Sequence, residues 1–383
     1  MPGLYIHIPF CASRCIYCGF YSTTLLSLRD RYVNALCREM ELRKERGLFT
    51  SIYLGGGTPS MLSPEQLSKI FKFINKVEGQ GARDESRESR DEGCVSMGAQ
   101  TFSDERLRFL HRRHSAADVP AAVSRLRAAG FNNISIDLMF GFPGETLADW
   151  QADIDHALAL NVEHISAYSL MYEEGTKLFE QCKNGKISKI NEETERQMYD
   201  MLIDRLTAVG YEHYEISNFA KRVEVRGARC EVRGKGQGVR GEELQSYRAL
   251  HNSSYWHDEP YLGIGAAAHS YYYGERRASD RRIRCWNVSD IHQYIESIEK
   301  GIIPSEQEEI DDDTHYNDIV TTALRTREGI SLSALEPKYR TYLLDNARQS
   351  LNSGLLAITD DHIHLTRQGL FVSDDVMSNL IYV

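Results

Sequence analysis

Cys11, Cys15 and Cys18 stand at the spacing Cys-x3-Cys-x2-Cys, and three thiolates set so close together can hold metal. They are one ligand short of a closed tetrahedral zinc site, and they are badly placed for a disulfide inside a cell. An iron–sulfur cube suits them better: three of its irons take one cysteine each, and the fourth stays open to an exogenous chelating ligand. A structural zinc clip completed by a distant Cys or His is the plainer alternative at this spacing. The chain has eight cysteines, and the remainder, Cys37, Cys94, Cys182, Cys230 and Cys285, are scattered rather than laid out as a disulfide framework.

Presenting these thiols falls to the apolar run Tyr5-Ile6-His7-Ile8-Pro9-Phe10 just before them. It has the length and composition of a strand, and Pro9 ends its hydrogen bonding, so the thiols should follow a strand's carboxyl end. That is where α/β barrels keep their chemistry. Short β-like runs alternate with longer helical patterns over the first 210 residues, which predicts a parallel sheet closed or curled into a barrel. Helices are expected over Arg29–Arg46, Pro64–Asn75, Ala116–Gly130 and Thr146–Leu160. Strands are expected over Ser51–Leu54, Cys94–Phe102, Asn132–Phe140 and His164–Tyr172.

Composition bounds the function. With 383 residues, 42% of them hydrophobic, the chain is globular and long enough for two domains. A net charge of −10 argues against a protein that coats nucleic acid. No apolar stretch approaches a membrane span, and the amino terminus enters a strand at once without a signal peptide, so the expected location is the reducing cytoplasm.

Other residues stand out by type. Consecutive glycines in Gly55-Gly56-Gly57-Thr58-Pro59 let backbone N–H groups approach a polar ligand, although turns use glycine routinely. Asp137 lies inside an apolar run, where burial is costly unless it meets donors such as ribose hydroxyls or a basic partner at the barrel rim. Gln100 ends a strand; Arg112, in the run His111-Arg112-Arg113-His114, reads on its own as part of a solvated basic face. The segment His251-Asn252-Ser253-Ser254-Tyr255-Trp256 precedes a small-residue stretch, Gly263 to Ala268, and His269. Imidazoles and aromatic walls suit a porphyrin, while the blander reading is a hydrogen-bonded core of Tyr, Trp and His. Two stretches break the pattern: 78–93 has no branched aliphatic or aromatic residue, and 223–244 is rich in Arg, Gly and Glu. From about Asp311, helices over Tyr316–Thr326, Leu332–Leu335 and Thr341–Ser353 and a hairpin around Asp360-Asp361 suggest a winged-helix shape.

The cysteine spacing with Tyr17 before the last Cys resembles the signature of the radical S-adenosylmethionine (SAM) family. The resemblance implies a [4Fe-4S] cluster on Cys11, Cys15 and Cys18. The amine and carboxylate of SAM then chelate the open iron, and reductive cleavage of the sulfonium yields a 5′-deoxyadenosyl radical. It places Tyr5, Tyr17, Phe20, Gly56, Gly57, Thr58, Gln100, Arg112 and Asp137 around that cosubstrate. It implies an α/β fold, a partial (β/α)6 barrel over 1–210 that lacks its third strand where 78–93 falls. A connector with a low-complexity insertion over 211–250 and a smaller winged-helix-like domain over 251–383 follow.

Within that family, His-Asn-x-x-Tyr-Trp resembles the marker of the heme chaperone HemW group, where it is connected with heme binding, so His251, Asn252, Tyr255 and Trp256 become heme candidates. Oxygen-independent coproporphyrinogen III dehydrogenase shares most motifs, but it carries a fourth Cys where this chain has Phe20 and a long arm before the cluster loop. The resemblance therefore implies a chaperone without dehydrogenase activity. Its partners would be heme as cargo, heme-requiring apoproteins and an electron donor for the cluster, with heme delivery at the membrane periphery and a homodimer also compatible. A tRNA-modifying radical enzyme would need an added basic RNA-binding domain, and none is visible.

Overall fold

The computed structural model describes residues 3–43, 49–78, 93–223, 245–273 and 281–383. In chain order the strands are β1 (Gly3–Ile8), β2 (Ile52–Gly56), β3 (Cys94–Gln100), β4 (Asn133–Phe140), β5 (His164–Ser169), β6 (Tyr211–Glu215) and β7 (Asn218–Val223). Then follow β8 (Gln245–Ser246), β9 (Tyr261–Ile264), β10 (His269–Tyr273), β11 (Arg282–Asn287), β12 (Ser305–Ile310), β13 (Ile330–Ser331), β14 (Leu356–Thr359) and β15 (His362–Leu365). The chain forms two compact units, one of Met1–Ser89, Glu173–Phe179 and Leu250–Val383, the other of Arg90–Tyr172 and Glu180–Ala249.

In the first unit the sheet runs β12-β11-β10-β9-β1-β2. β1 lies between β2 and β9, parallel to both, with Ile6 opposite Leu54 and Ile264. Because side chains alternate along a strand, β1 has two faces of different chemistry. Leu4, Ile6 and Ile8 are fully buried with Tyr32, Val33 and Leu36 of the helix Arg29–Arg43 and with Tyr294, Ile295 and Ile298 of the helix Ile291–Glu299. Burying each such aliphatic side chain contributes about 1.5–3 kcal/mol. Tyr5 and His7 point to the opposite face, which carries the chemistry described below.

One carboxylate pins this core. Glu39 is wholly buried; its Oε2 accepts from the Tyr294 hydroxyl at 2.6 Å and the Gly265 N–H at 2.9 Å. Its Oε1 accepts from Asn287 Nδ2 at 2.8 Å and from Arg43 Nε at 2.9 Å. Beside it, Tyr32 donates to the His7 carbonyl at 2.9 Å and accepts from the Ala266 N–H at 3.0 Å. Two helices, β1 and the turn after β9 are thereby joined.

The carboxyl end of this unit is winged-helix-like. The helices Asp312–Ala323 and Pro337–Asn352 pack through Tyr316 and Tyr339, whose rings stack 4.9 Å apart, beside the antiparallel sheet β13-β15-β14. Asp360 and Asp361, at φ of 47° and 69°, make the tight turn of the expected hairpin. The helix expected over Leu332–Leu335 is instead a turn: the Leu332 N–H bonds the Asp361 carbonyl, and Pro337 starts the next helix.

In the second unit the order is β3-β4-β5-β7-β6; β3, β4 and β5 are parallel and the hairpin β6-β7 adds antiparallel strands beside β5. The last parallel strand stops at Ser169, short of the expected Tyr172. The parallel strands are divided between two sheets, so the barrel is partial, as expected. The segments where a third strand and a second insertion were at issue, 79–92 and 224–244, lie outside the described residues.

Candidate functional site

Pro9 has no N–H to continue the ladder, and the chain leaves β1 there. A loop closes where the Cys11 N–H bonds the Thr23 carbonyl at 2.9 Å and the Thr23 N–H bonds the Pro9 carbonyl at 2.7 Å. Cys11, Cys15 and Cys18 on it carry thiols, none in a disulfide and all partly accessible. The glycine turn runs alongside: the Gly57 N–H reaches the Ile8 carbonyl and the Thr58 N–H the Phe10 carbonyl, at 2.8 and 2.9 Å. The Thr58 hydroxyl lies 3.6 Å from the Cys11 sulfur. Thus Gly57 and Thr58 border the first thiol, while Gly56, at φ 99°, turns the chain against the His7 ring.

A [4Fe-4S] cluster fits this loop. Its thiolates each bind a separate iron, so they need not converge on one point. Among the described residues no three His, Cys, Asp or Glu side chains are grouped closely enough to hold a single metal ion. The loop is braced by a segment distant in sequence, since the Leu178 N–H donates to the Ile16 carbonyl at 2.9 Å and both side chains are buried. The Glu173 carboxylate lies over Gly19. Tyr17 is half-buried, and Phe20, in place of a fourth cysteine, is 71% exposed.

Two glycine substitutions should separate the tight side of this loop from the loose one. A Cβ on Gly57 would stand 2.9 Å from both the Cys11 sulfur and the Phe10 carbonyl oxygen, a backbone atom that cannot step aside. A Cβ on Gly19 meets only the end of the exposed Glu173 side chain, which can swing away. Gly57→Ala is therefore expected to cost about 1–3 kcal/mol of strain at the first thiol and to lower iron per chain after reconstitution, with Gly19→Ala close to wild type. Equal iron contents in the two variants would refute this.

The open face of the same sheet is aromatic. Tyr5 stacks with Tyr53 at 6.0 Å and with His251 at 6.2 Å, and its hydroxyl contacts His7 Nδ1 at 2.9 Å. The other His7 nitrogen meets the Tyr21 carbonyl at 3.1 Å. Burial lowers the His7 pKa; the bond to Tyr21 opposes this and the neighbouring His269 adds to it.

His251, Asn252, Tyr255 and Trp256 lie on the helix Leu250–Trp256. His251 is buried beside Gly3 and Ser51, at the amino ends of β1 and β2, the end of the strands opposite the cysteine loop. Both its nitrogens are engaged, Nδ1 with the Ser51 hydroxyl at 2.9 Å and Nε2 with the Tyr255 hydroxyl at 2.7 Å. Burial pushes its pKa down to about 4. Asn252 is half-buried, and the Arg325 guanidinium covers the Trp256 ring at 5.2 Å. His251 and Tyr255 are thus hydrogen-bonded to the start of the sheet, while the buried Trp256 Nε1 has no hydrogen-bond partner among the described residues.

In the second unit, Gln100, Arg112 and Asp137 come together around Gly98. A Cβ there would lie 2.4 Å from the Gln100 amide nitrogen and 3.2 Å from an Arg112 guanidinium nitrogen, and Asp137 is the β4 residue paired with Gly98. Ser96 donates to Asp137 at 3.2 Å. Burial raises the Asp137 pKa, while hydrogen bonds from Ser96 and Ser166 and the charge of Arg112 pull it down. Gln100 sits at a positive φ of 68°, held by the next residues: the buried Asp153 accepts from the Thr101 hydroxyl at 2.6 Å and the Phe102 N–H at 2.9 Å. Ser96, Ser166 and Asp153 are missed from sequence. Only Asp153 leaves a signal, an acid in the buried stripe Trp150, Asp153, Ile154 and Ala157 of its helix.

Residues 5–157 match the Radical SAM superfamily and residues 310–372 the HemN C-terminal domain. The heme chaperone HemW of Bacillus subtilis is 33% identical, with 98% of each chain covered. That of Lactococcus lactis is 28% identical, with 98% of this chain and 96% of the relative covered. The solved structure of coproporphyrinogen III oxidase (HemN) from Escherichia coli aligns over 99% of this chain and 90% of its own, with a TM-score of 0.75 and 21% identity, a likeness of fold. Related end to end to these chaperones and built on a radical SAM fold, the chain belongs to the heme chaperone HemW family.

Proposed function

We propose that this protein is a heme chaperone that binds a [4Fe-4S] cluster, SAM and heme, and delivers heme to heme-requiring apoproteins. The observation that carries the reading is the three-thiol loop in a chain related over its whole length to HemW proteins, with Phe20 where a fourth cysteine marks the dehydrogenase. Cys11, Cys15 and Cys18 hold the cluster. A cluster held there would supply one electron, drawn from an external donor, for cleavage of the SAM sulfonium. Gly56, Gly57 and Thr58 offer backbone and hydroxyl groups to the methionyl end of SAM. Tyr5, Tyr17 and Phe20 supply aromatic surface, Arg112 a cation for the carboxylate, and Gln100 and Asp137 acceptors for ribose hydroxyls.

Thiols that must stay reduced suit the cytoplasm. Among the described residues no helix is long and apolar enough to cross a membrane, so contact with one during heme delivery would be peripheral.

Anaerobically reconstituted protein incubated with SAM, reductant and either heme or coproporphyrinogen III tests the reading. The expected result is a heme Soret band that co-elutes with the protein, with coproporphyrinogen returned unchanged. Release of carbon dioxide and formation of protoporphyrinogen, without heme uptake, would establish the dehydrogenase instead.

A further inference from the structure

The heme reading leaves open which side chain meets the iron, and the imidazoles of the first unit differ sharply in what they have left to give. His7 and His251 have both ring nitrogens engaged. His315 is held by Asp258 at 2.8 Å, and His364 contacts the Leu365 carbonyl and the Thr359 hydroxyl. His257, on an exposed turn, and His362, the partly buried first residue of β15, turn Nδ1 to nearby backbone carbonyls, and His292 is exposed on the helix Ile291–Glu299; none of these three rings stacks on an aromatic side chain among the described residues. His269 is different: it is exposed, its ring makes no hydrogen bond among the described residues, and it lies against the Trp286 indole, ring centres 6.1 Å apart and planes at 29°.

We propose that heme binds on the open face of this sheet with the His269 imidazole as an axial ligand of its iron and the Trp286 indole against the porphyrin. This rests on the heme-chaperone reading and adds the ligand. Heme iron takes a neutral imidazole through a free nitrogen, and porphyrin surface is matched by aromatic side chains. His269 is also rigidly placed. Its strand neighbour Ser270 is buried and its hydroxyl accepts from the Gly263 N–H at 2.9 Å, while the Asn287 N–H bonds the Ala268 carbonyl at 2.9 Å. His269 pairs directly with Trp286 across β10 and β11, so ligand and wall stand on adjoining strands rather than on a loop. The face continues through His7, whose ring interacts with His269, toward Gly56 and the cysteine loop. Bound here, the cargo would lie at the cluster end of the strands, away from His251.

The test titrates heme into wild type, His269→Ala, His269→Cys and His251→Ala, all carrying reconstituted cluster, with absorption and electron paramagnetic resonance as readouts. His269→Ala is expected to weaken heme binding tenfold or more and to lose the histidine-ligated spectrum, with added imidazole restoring it. His269→Cys should give a thiolate-ligated spectrum, a change of ligand class that a merely structural role would not produce. His251→Ala should keep the wild-type spectrum. A wild-type spectrum in both His269 variants would overturn the assignment while leaving the chaperone reading in place. Failure of wild type to bind heme would instead remove that reading and this ligand with it.

Discussion

Cys15→Ala protein, reconstituted anaerobically with iron and sulfide, is expected to retain no [4Fe-4S] cluster, with its iron content at background and its visible absorbance gone. Three thiolates would hold three irons of such a cube; with two, a second iron would be left to solvent and exchange. Among the described residues the first unit has no acid, His or Cys grouped with these thiols in a way that would hold a metal. The fold should survive, because the loop closes through backbone bonds between Cys11, Thr23 and Pro9 and leans on Leu178 through the Ile16 carbonyl, none of which uses the Cys15 side chain. Far-ultraviolet circular dichroism should therefore match wild type while iron and sulfide analysis does not. A variant that keeps its iron and its brown colour would show that the cysteines do not hold the cluster. Wild-type protein that binds zinc tightly and stays colourless would revive the zinc clip.

The contrast between Cys15 and His251 shows what a one-dimensional motif can and cannot tell. Thiol chemistry is legible at once because only metal or redox roles suit three cysteines in eight positions, and the strand before them is fixed by Pro9. A cluster of His, Tyr and Trp is ambiguous, since the same residues line a porphyrin pocket or satisfy one another in a core. The structure adds which end of the strands they occupy. The parallel register Leu4 with Leu262 and Ile6 with Ile264 puts the helix before β9 at the amino ends of the sheet, and no periodicity in the sequence shows that pairing. Conversely, His269 is legible as an imidazole after small residues, but that Trp286 stands beside it is visible only in the pairing of β10 with β11.

Asp137, Gln100 and Arg112 were placed by family resemblance, and their meeting around Gly98 depends on the left-handed backbone at Gln100, which propensity would not assign to a non-glycine residue. The brace from Glu173 to Phe179 was invisible for the same reason as the β9 pairing: contacts separated by 150 residues or more leave no local trace.

Glu39→Ala is expected to be strongly destabilising, costing about 3–5 kcal/mol, against a total stability of about 5–15 kcal/mol for an ordinary domain. The magnitude follows from what is left behind rather than from the pair alone. Removing the carboxylate strands the Arg43 guanidinium, whose side chain is only 12% exposed, and leaves it Asn287 Oδ1 at 3.0 Å as a partner. The Gly265 N–H and the Tyr294 hydroxyl lose the acceptor they share, in a region where neither can reach water without moving a helix. Asn287 Nδ2 retains the Gly265 carbonyl at 2.9 Å, which limits the loss. Glu39→Gln should cost less, because an amide oxygen can still accept from two of these donors while the charge facing Arg43 disappears. Urea unfolding monitored by fluorescence should show the midpoints falling in the order wild type, Glu39→Gln, Glu39→Ala at similar slopes. The partners of Glu39, Gly265, Asn287, Tyr294 and Arg43, all lie outside the cysteine loop, so at low temperature and without denaturant both variants should take up the cluster to the wild-type level. A Glu39→Ala midpoint equal to wild type would mean that the joint between the helix Arg29–Arg43 and the turn leading to His269 is held by apolar packing alone.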